Sequence, residues 1–301
     1  MPGAFLVSEE VRSALADEVG VVALETSVIG QGLPAPRNWE CVERMGDAVR
    51  ASGAIPAWIG VVDGSVVVGL TQGQLRLFAE PGRASKVARR DYPMAVANGD
   101  LGATTVSATI WAAAEAGIAV SATGGIGGIH PGDDPDVSAD LLELARTPGL
   151  LVCSGPKSMI DPVATAEKLE ELGVVLVGYG VDRLPFFLAR EASVELEHRV
   201  ETPAEAAALV RAATTLGGRS TILLCNPIPA EHAMDAAEVA AASRGAETLA
   251  EREGIHGKVR TPFLLAALAE ITDGRSLEAN LELLQDNARV AGLVAMATAG
   301  P

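Results

Sequence analysis

Ile118-Ala-Val-Ser-Ala122, Thr123-Gly-Gly-Ile-Gly-Gly-Ile-His130-Pro-Gly-Asp-Asp-Pro-Asp136-Val-Ser138, Ala139-Asp-Leu-Leu-Glu-Leu-Ala-Arg146 and Gly149-Leu-Leu-Val-Cys-Ser154 lie in that order along the chain. Short apolar runs bounded by turn residues read as buried strands, and apolar positions at helical spacing read as a helix. The stretch therefore predicts strands over 118–122 and 149–154 joined through a helix over 138–146, a crossover that makes the two strands parallel.

The same alternation continues on both sides. Further strands are predicted at 20–24, 55–62, 65–70, 94–97, 174–178 and 220–225, and helices at 38–52, 104–116, 162–172 and 203–216. Thr202-Pro203, with Glu205 in the first turn, opens the last of these. Asp63-Gly64 between two apolar runs is a two-residue hairpin signal, so at least one pair is expected to be antiparallel. From residue 233 onward the pattern is helical, broken only at Thr272–Ser276, and such a tail suits a cap over a site or an assembly surface. The expectation is an α/β chain with a mixed, mostly parallel central sheet covered by helices on both faces, a helical C-terminal region and a single domain over 1–301.

Composition narrows the function. A net charge of −16 argues against nucleic acid and anionic membranes as general partners, because phosphate backbones would be repelled. No stretch reaches the roughly 18 uninterrupted apolar residues of a membrane span. Met1–Glu10 lacks a signal pattern, and Cys41, Cys153 and Cys225 lack paired metal spacing, so a cytoplasmic protein with reduced core thiols is expected.

Several residues stand where charge or polarity is costly. Lys157 follows the apolar run 150–153 in a chain with four lysines against nineteen arginines. A lysine amine in apolar surroundings has its pKa depressed and can attack a carbonyl as the free base, whereas arginine stays protonated. The ordinary alternative is a lysine that snorkels from a strand end towards water. Glu25 ends the run Val21–Leu24, where a carboxyl group can have its pKa raised and serve as a general acid, or stand as a capped structural residue. The four glycines between 124 and 128 suit either an anion-cradling turn or a packing turn, and His130 stands where a dinucleotide fingerprint needs glycine. Asp133, Asp134, Asp136 and Asp140, with His130 nearby, offer donors for Mg²⁺ or Mn²⁺, while Ser138 or Asp136 could equally cap the next helix. Lys86, Arg89 and Arg90 read as an anion pocket or a solvated helix end, and Lys168 as surface pairing. Capping and turn roles are the default for the amides of Asn226 and Asn280.

Ala23-Leu-Glu25-Thr, Gly32-Leu-Pro, Lys86-Val-Ala-Arg-Arg-Asp91, Gly102-Ala-Thr-Thr-Val106, Ala122-Thr-Gly-Gly-Ile-Gly-Gly-Ile-His130, Asp136-Val-Ser-Ala-Asp140, Gly155-Pro-Lys157-Ser and Asn226-Pro-Ile-Pro229 together closely resemble the pseudouridine-5′-phosphate glycosidase, or indigoidine synthase A-like, family. The motifs are collinear, and the resemblance runs over about 5–298. It implies reversible cleavage of the C–C glycosidic bond of pseudouridine 5′-phosphate to uracil and ribose 5-phosphate, a step of nucleotide catabolism, in a homotrimer with one Mn²⁺ per subunit. It implies Lys157 as Schiff-base nucleophile, Glu25 as proton donor and Asp136 as metal ligand. It implies substrate contacts at Lys86, Val106, Ser138, Ala139 and Asp140, and polar positions lining the sugar-phosphate pocket at Thr105, Thr123, His130 and Asn280.

The chain departs from the family's pattern with Thr26-Ser27 for Ser-Thr, Gln31 for His and Pro156 for Ala, which bears on substrate identity more than on reaction class. Two alternatives stay open: a C-ribosylating enzyme of a natural-product pathway that uses another aglycone, and a non-catalytic sugar-phosphate-binding regulator.

Overall fold

Val22 and Leu24 pack into one hydrophobic layer, and the intervening Val21 and Ala23 into another. Leu150 and Val152 are likewise separated from Leu151 and Cys153. Successive side chains of a strand point to opposite faces, so a strand covered on both sides reads as the continuous apolar run seen in the sequence. The computed structural model describes residues 4–132 and 136–300, apart from the side chain of Lys258. Asp133 and Asp134 lie outside the described residues.

The strands are β1 (Phe5–Val7), β2 (Val21–Glu25), β3 (Ile55–Val62), β4 (Ser65–Val68), β5 (Ser85–Val87), β6 (Gly102–Thr104), β7 (Val120–Ala122), β8 (Gly149–Cys153), β9 (Leu176–Tyr179), β10 (His198–Val200) and β11 (Thr221–Cys225). The α-helices are α1 (Glu9–Ala16), α2 (Arg37–Ala51), α3 (Gln72–Ala79), α4 (Tyr92–Asn98), α5 (Val106–Glu115), α6 (Ala139–Leu144), α7 (Pro162–Glu171), α8 (Pro203–Thr215), α9 (Ala236–Glu253), α10 (Arg260–Ile271) and α11 (Arg275–Ala299).

The strands form an 11-stranded sheet in the order β1-β4-β3-β2-β7-β8-β11-β9-β10, with β6 joined to β3 and β5 to β6. Among the described strands, β3–β4 and β3–β6 pair antiparallel and the other pairs are parallel. Asp63 and Gly64 take φ of 47° and 75°, the left-handed pair that a tight hairpin turn requires, and close β3 onto β4. Helices α2, α8 and α11 cover one face of the sheet, and α1, α4, α5, α6 and α7 the other. The mixed sheet, its two helical layers and the helical C-terminal region are those expected from the sequence.

The run 94–97, read as a strand, lies instead in α4. Four apolar residues are too few for periodicity to decide, and the better signals were Pro93 in the helix's first turn and Gly99, at φ 70°, closing it. Helix α3 went unread although Thr71 and Gln74 form a capping box at its start. The three cysteines are buried free thiols, and Cys153 and Cys225 face each other across β8 and β11.

Candidate active site

Neighbouring parallel strands β2, β7 and β8 end side by side, and the chain leaves each of them as a loop carrying polar groups. The carboxyl edge of parallel strands is where open α/β sheets place their ligands. Glu25 is the last residue of β2, Thr123 follows β7, and Lys157 lies on the loop after β8. All three line one cavity, together with every other position that the sequence reading assigned to the site.

Glu25 is 5% exposed, and both of its oxygens are occupied. Thr123 Oγ1 donates to Oε1, and Ser27 Oγ donates to Oε2 at 2.6 Å. Thr26 turns the other way: its Oγ1 donates to Ile59 O at 2.7 Å and accepts from the Thr104 amide at 2.9 Å, which ties the end of β2 to β3 and β6. The exchanged order Thr26-Ser27 thus still presents a hydroxyl to the carboxylate and a hydroxyl to the core.

The lysine loop is bonded to the glycine turn. Ile126 donates its amide to Gly155 O at 3.0 Å, and Lys157 returns one to Ile126 O at 3.1 Å. Lys157 Nζ, half-buried, donates to Gly125 O at 2.6 Å. Gly155 has φ +74°, and a Cβ there would lie 2.0 Å from Pro185 O, so only glycine allows this path.

The glycine turn is a packing device more than a phosphate cradle. A Cβ on Gly127 would meet Ser138 Oγ at 2.4 Å, and one on Gly128 would meet Thr165 Oγ1 at 2.4 Å. The amides of Ile126, Gly127, Ile129 and His130 are all bonded within the protein. Asp140 explains part of this: Oδ2 accepts from Gly127 N and Oδ1 from Ser107 N, each at 3.0 Å, so its carboxylate clamps the turn to the start of α5. Thr105 and Val106 stand at that same helix start, and Ser138, which caps α6, and Ala139 form the adjacent wall.

Of the cations at 86–90, Lys86 faces the cavity, Arg89 pairs with Glu143 at 2.8 Å and stacks over Trp111, and Arg90 stands exposed at the rim. Burial, and then the charge of Lys157, push the Lys86 amine below the usual lysine range, against the opposing pull of Asp140, Glu25 and Asp136. Lys168 pairs with Glu171 on the surface, as expected. Two amide oxygens on the cavity wall, Gln31 Oε1 and Asn280 Oδ1, are buried without a hydrogen-bond partner among the described residues. Gln31 Nε2 is held by Ala84 O at 2.8 Å, which fixes its orientation.

Three contributors escaped the sequence reading. Asn287 of α11 is 0% exposed and bonds Thr123 O at 2.8 Å, Ser154 Oγ at 3.1 Å and Asn226 Nδ2 at 3.0 Å, so it ties together the ends of β7, β8 and β11. Nothing sets it apart from other helical amides in the sequence. The others are Glu247 of α9, which meets the His130 ring, and Arg260 at the start of α10, which bonds Glu247. No group of three or more His, Cys, Asp and Glu side chains able to hold a metal exists among the described residues. Asp136 offers a single carboxylate at the exposed rim of the cavity, an oxygen donor of the kind a hard divalent ion takes. No helix among the described residues is long and apolar enough to cross a membrane.

Sheet edge and cavity define an α/β protein in which a lysine amine and a glutamate carboxyl group line the same cavity. Residues 10–297 match the family described as indigoidine synthase A like protein, and the chain belongs to that family. A relative from Herpetosiphon aurantiacus named pseudouridine-5′-phosphate glycosidase is 47% identical over 294 residues, covering 97% of each chain. One of the same name from Caldanaerobacter subterraneus subsp. tengcongensis is 42% identical over 292 residues, covering 96% of this chain and 95% of its own. Among solved structures, the prealnumycin C-glycosynthase AlnA in complex with ribulose 5-phosphate superposes with a TM-score of 0.89 at 41% identity, covering 99% of this chain and 98% of that one. An indigoidine synthase A-like protein from Thermotoga maritima gives 0.89 at 36% identity, covering 97% and 95%.

Proposed function

We propose that the chain cleaves, and in reverse forms, the C–C bond between C1′ of ribose 5-phosphate and a nucleobase, with pseudouridine 5′-phosphate as substrate. The observation that carries this reading is the meeting of Lys157 and Glu25 in one cavity with the phosphate-compatible Lys86. A carbon-linked base has no bridging oxygen or nitrogen to protonate, so the two-carboxylate route of O-glycosidases lacks its leaving group. An amine supplies the missing electron sink.

Glu25 gives its proton to the ring oxygen as the C1′–O4′ bond opens, and the free amine of Lys157 bonds to C1′. The new C–N bond sheds one amine proton to the Glu25 carboxylate. The C1′–C5 electron pair then passes to the base as the nitrogen lone pair closes C1′=N, C5 takes up that proton, and C1′ is left as the iminium of Lys157. Water hydrolyses that iminium, returning the amine and ribose 5-phosphate. Thr123 and Ser27 orient the acid, and Gly125 O aims the amine. Gln31 Oε1 and Asn280 Oδ1 suit the N–H groups of a base, since a buried acceptor left unpaired is costly. A divalent ion, Mn²⁺ in this reading, would be held by Asp136 and would neutralise phosphate charge. Homotrimeric assembly belongs to the same reading.

The test is release of uracil from pseudouridine 5′-phosphate, with and without Mn²⁺, together with borohydride trapping of ribose 5-phosphate. A stable adduct on Lys157 that is absent from Lys157→Ala supports the mechanism; near-normal turnover by Lys157→Ala ends it. The likeness to AlnA favours a second reading, C-ribosylation of another aglycone. Adduct formation without uracil release would select it, and the absence of any adduct would point to a sugar-phosphate-binding regulator.

A further inference from the structure

His130 lines the cavity, yet the groups that hold its ring come from the C-terminal helices. Nδ1 lies 3.4 Å from Oε1 of Glu247, whose Oε2 receives a guanidinium N–H of Arg260 at 2.6 Å. The side chains of His130, Glu247 and Arg260 are 8%, 12% and 13% exposed, which makes this a largely enclosed polar chain. Burial disfavours the charge on Glu247, but hydrogen bonds from His130 and Arg260 outweigh it and hold the carboxyl below its usual range.

An ionised carboxylate can only accept, so the proton between the two side chains belongs to Nδ1. In that tautomer Nε2 is the ring's acceptor. We propose that Glu247 and Arg260 are positioning residues that hold His130 as its Nδ1–H tautomer, with Nε2 accepting a hydroxyl of the bound sugar phosphate. The role of the hydroxyl rests on the function proposed above; the tautomer does not. The arrangement also gives the C-terminal helices a part in the site, since Thr261, Pro262 and Leu265 of α10 line the same cavity.

Two measurements test this. Long-range ¹H–¹⁵N spectra of the intact protein read the ring nitrogens directly, with His130→Gln for assignment and His198, His232 and His256 as folding controls. The expected result is an Nδ1–H ring at His130 that becomes a tautomeric mixture in Glu247→Gln; an Nε2–H ring in the unaltered protein, or no change in the variant, overturns the proposal. In turnover, Glu247→Gln should cost about 10-fold, the scale of one charged hydrogen bond. In a His130→Ala background the same substitution should cost less than about 2-fold, because residues acting through one another are not additive. Multiplied effects would make Glu247 merely structural. If the unaltered protein shows the Nδ1–H ring but does not turn over pseudouridine 5′-phosphate, the proposed function fails and the tautomer assignment stands.

Discussion

Replacing Asn287 by leucine, close to it in volume, tests whether one buried amide holds the strand ends in place. The substitution removes the bonds to Thr123 O at 2.8 Å, Ser154 Oγ at 3.1 Å and Asn226 Nδ2 at 3.0 Å. Asn226 keeps a partner in Asp286 Oδ2 at 2.8 Å, and the Ser154 hydroxyl can turn, so the Thr123 carbonyl is the group at risk of staying unpaired. Two bonds at about 1 kcal/mol each and one stranded acceptor at about 1–3 kcal/mol give a loss of about 3–5 kcal/mol. That is within reach of a domain stable by about 5–15 kcal/mol, so the variant should still fold. Urea unfolding followed by circular dichroism should show a lower midpoint at unchanged slope. Because Thr123 also bonds Glu25, turnover should fall while the fold persists. A loss under about 1 kcal/mol with unaltered turnover would show that the strand ends hold their places without this amide, refuting the reasoning.

Thr123→Val keeps the shape but removes the donor to Glu25, and should lower kcat about 10- to 100-fold in steady-state assays with little change in melting temperature. Lys86→Met tests the depressed amine. Between its lowered pKa and the ordinary value near 10.5, the unfolded chain binds a proton at Lys86 that the native state does not, so stability rises with pH through that window. The methionine variant should therefore melt higher than the parent at pH 7, with the gain shrinking as the pH approaches the ordinary lysine value, and should bind ribose 5-phosphate more weakly by calorimetry. Gly128→Ala would set a Cβ 2.4 Å from Thr165 Oγ1 and 2.6 Å from Ile160 Cγ2, and should cost about 1–3 kcal/mol in chemical denaturation. Adding Thr165→Ala should recover part of that loss.

The sheet was legible because its central strands are covered on both faces: Val21–Leu24 and Leu150–Cys153 carry no polar interruption. Glu25 and Lys157 stood out for the same reason, as charges at the ends of such runs. What the sequence concealed depends on contacts between distant segments. Asp140 reads as one acid in a cluster, and only the folded chain shows its two oxygens spent on the amides of Ser107 and Gly127. The glycines of 124–128 suited a phosphate loop as well as a packing turn until the side chains of Ser138 and Thr165 were placed against them. Glu247 and Arg260 lie more than a hundred residues from His130, in helices whose local pattern gives no sign of a site.

A chain with a net charge of −16 repels phosphorylated ligands at long range, so a cavity that takes one must silence its own acids locally. Around this cavity the enclosed acidic side chains each have partners: Glu25 with Thr123 and Ser27, Asp140 with two backbone amides, and Glu247 with Arg260 and His130. Each of these groups is met by hydrogen-bond partners already oriented by the fold, which leaves the amines of Lys86 and Lys157 facing the cavity. Asp136, at the exposed rim, is the carboxylate that the proposed function assigns to a divalent ion. Burial and Lys157 both oppose the charge of a protonated Lys86, and on the proposed function the substrate's phosphate would relieve that cost. On that reading selectivity for an anion arises from the cavity's interior, while a net charge of −16 disfavours larger polyanions such as nucleic acids.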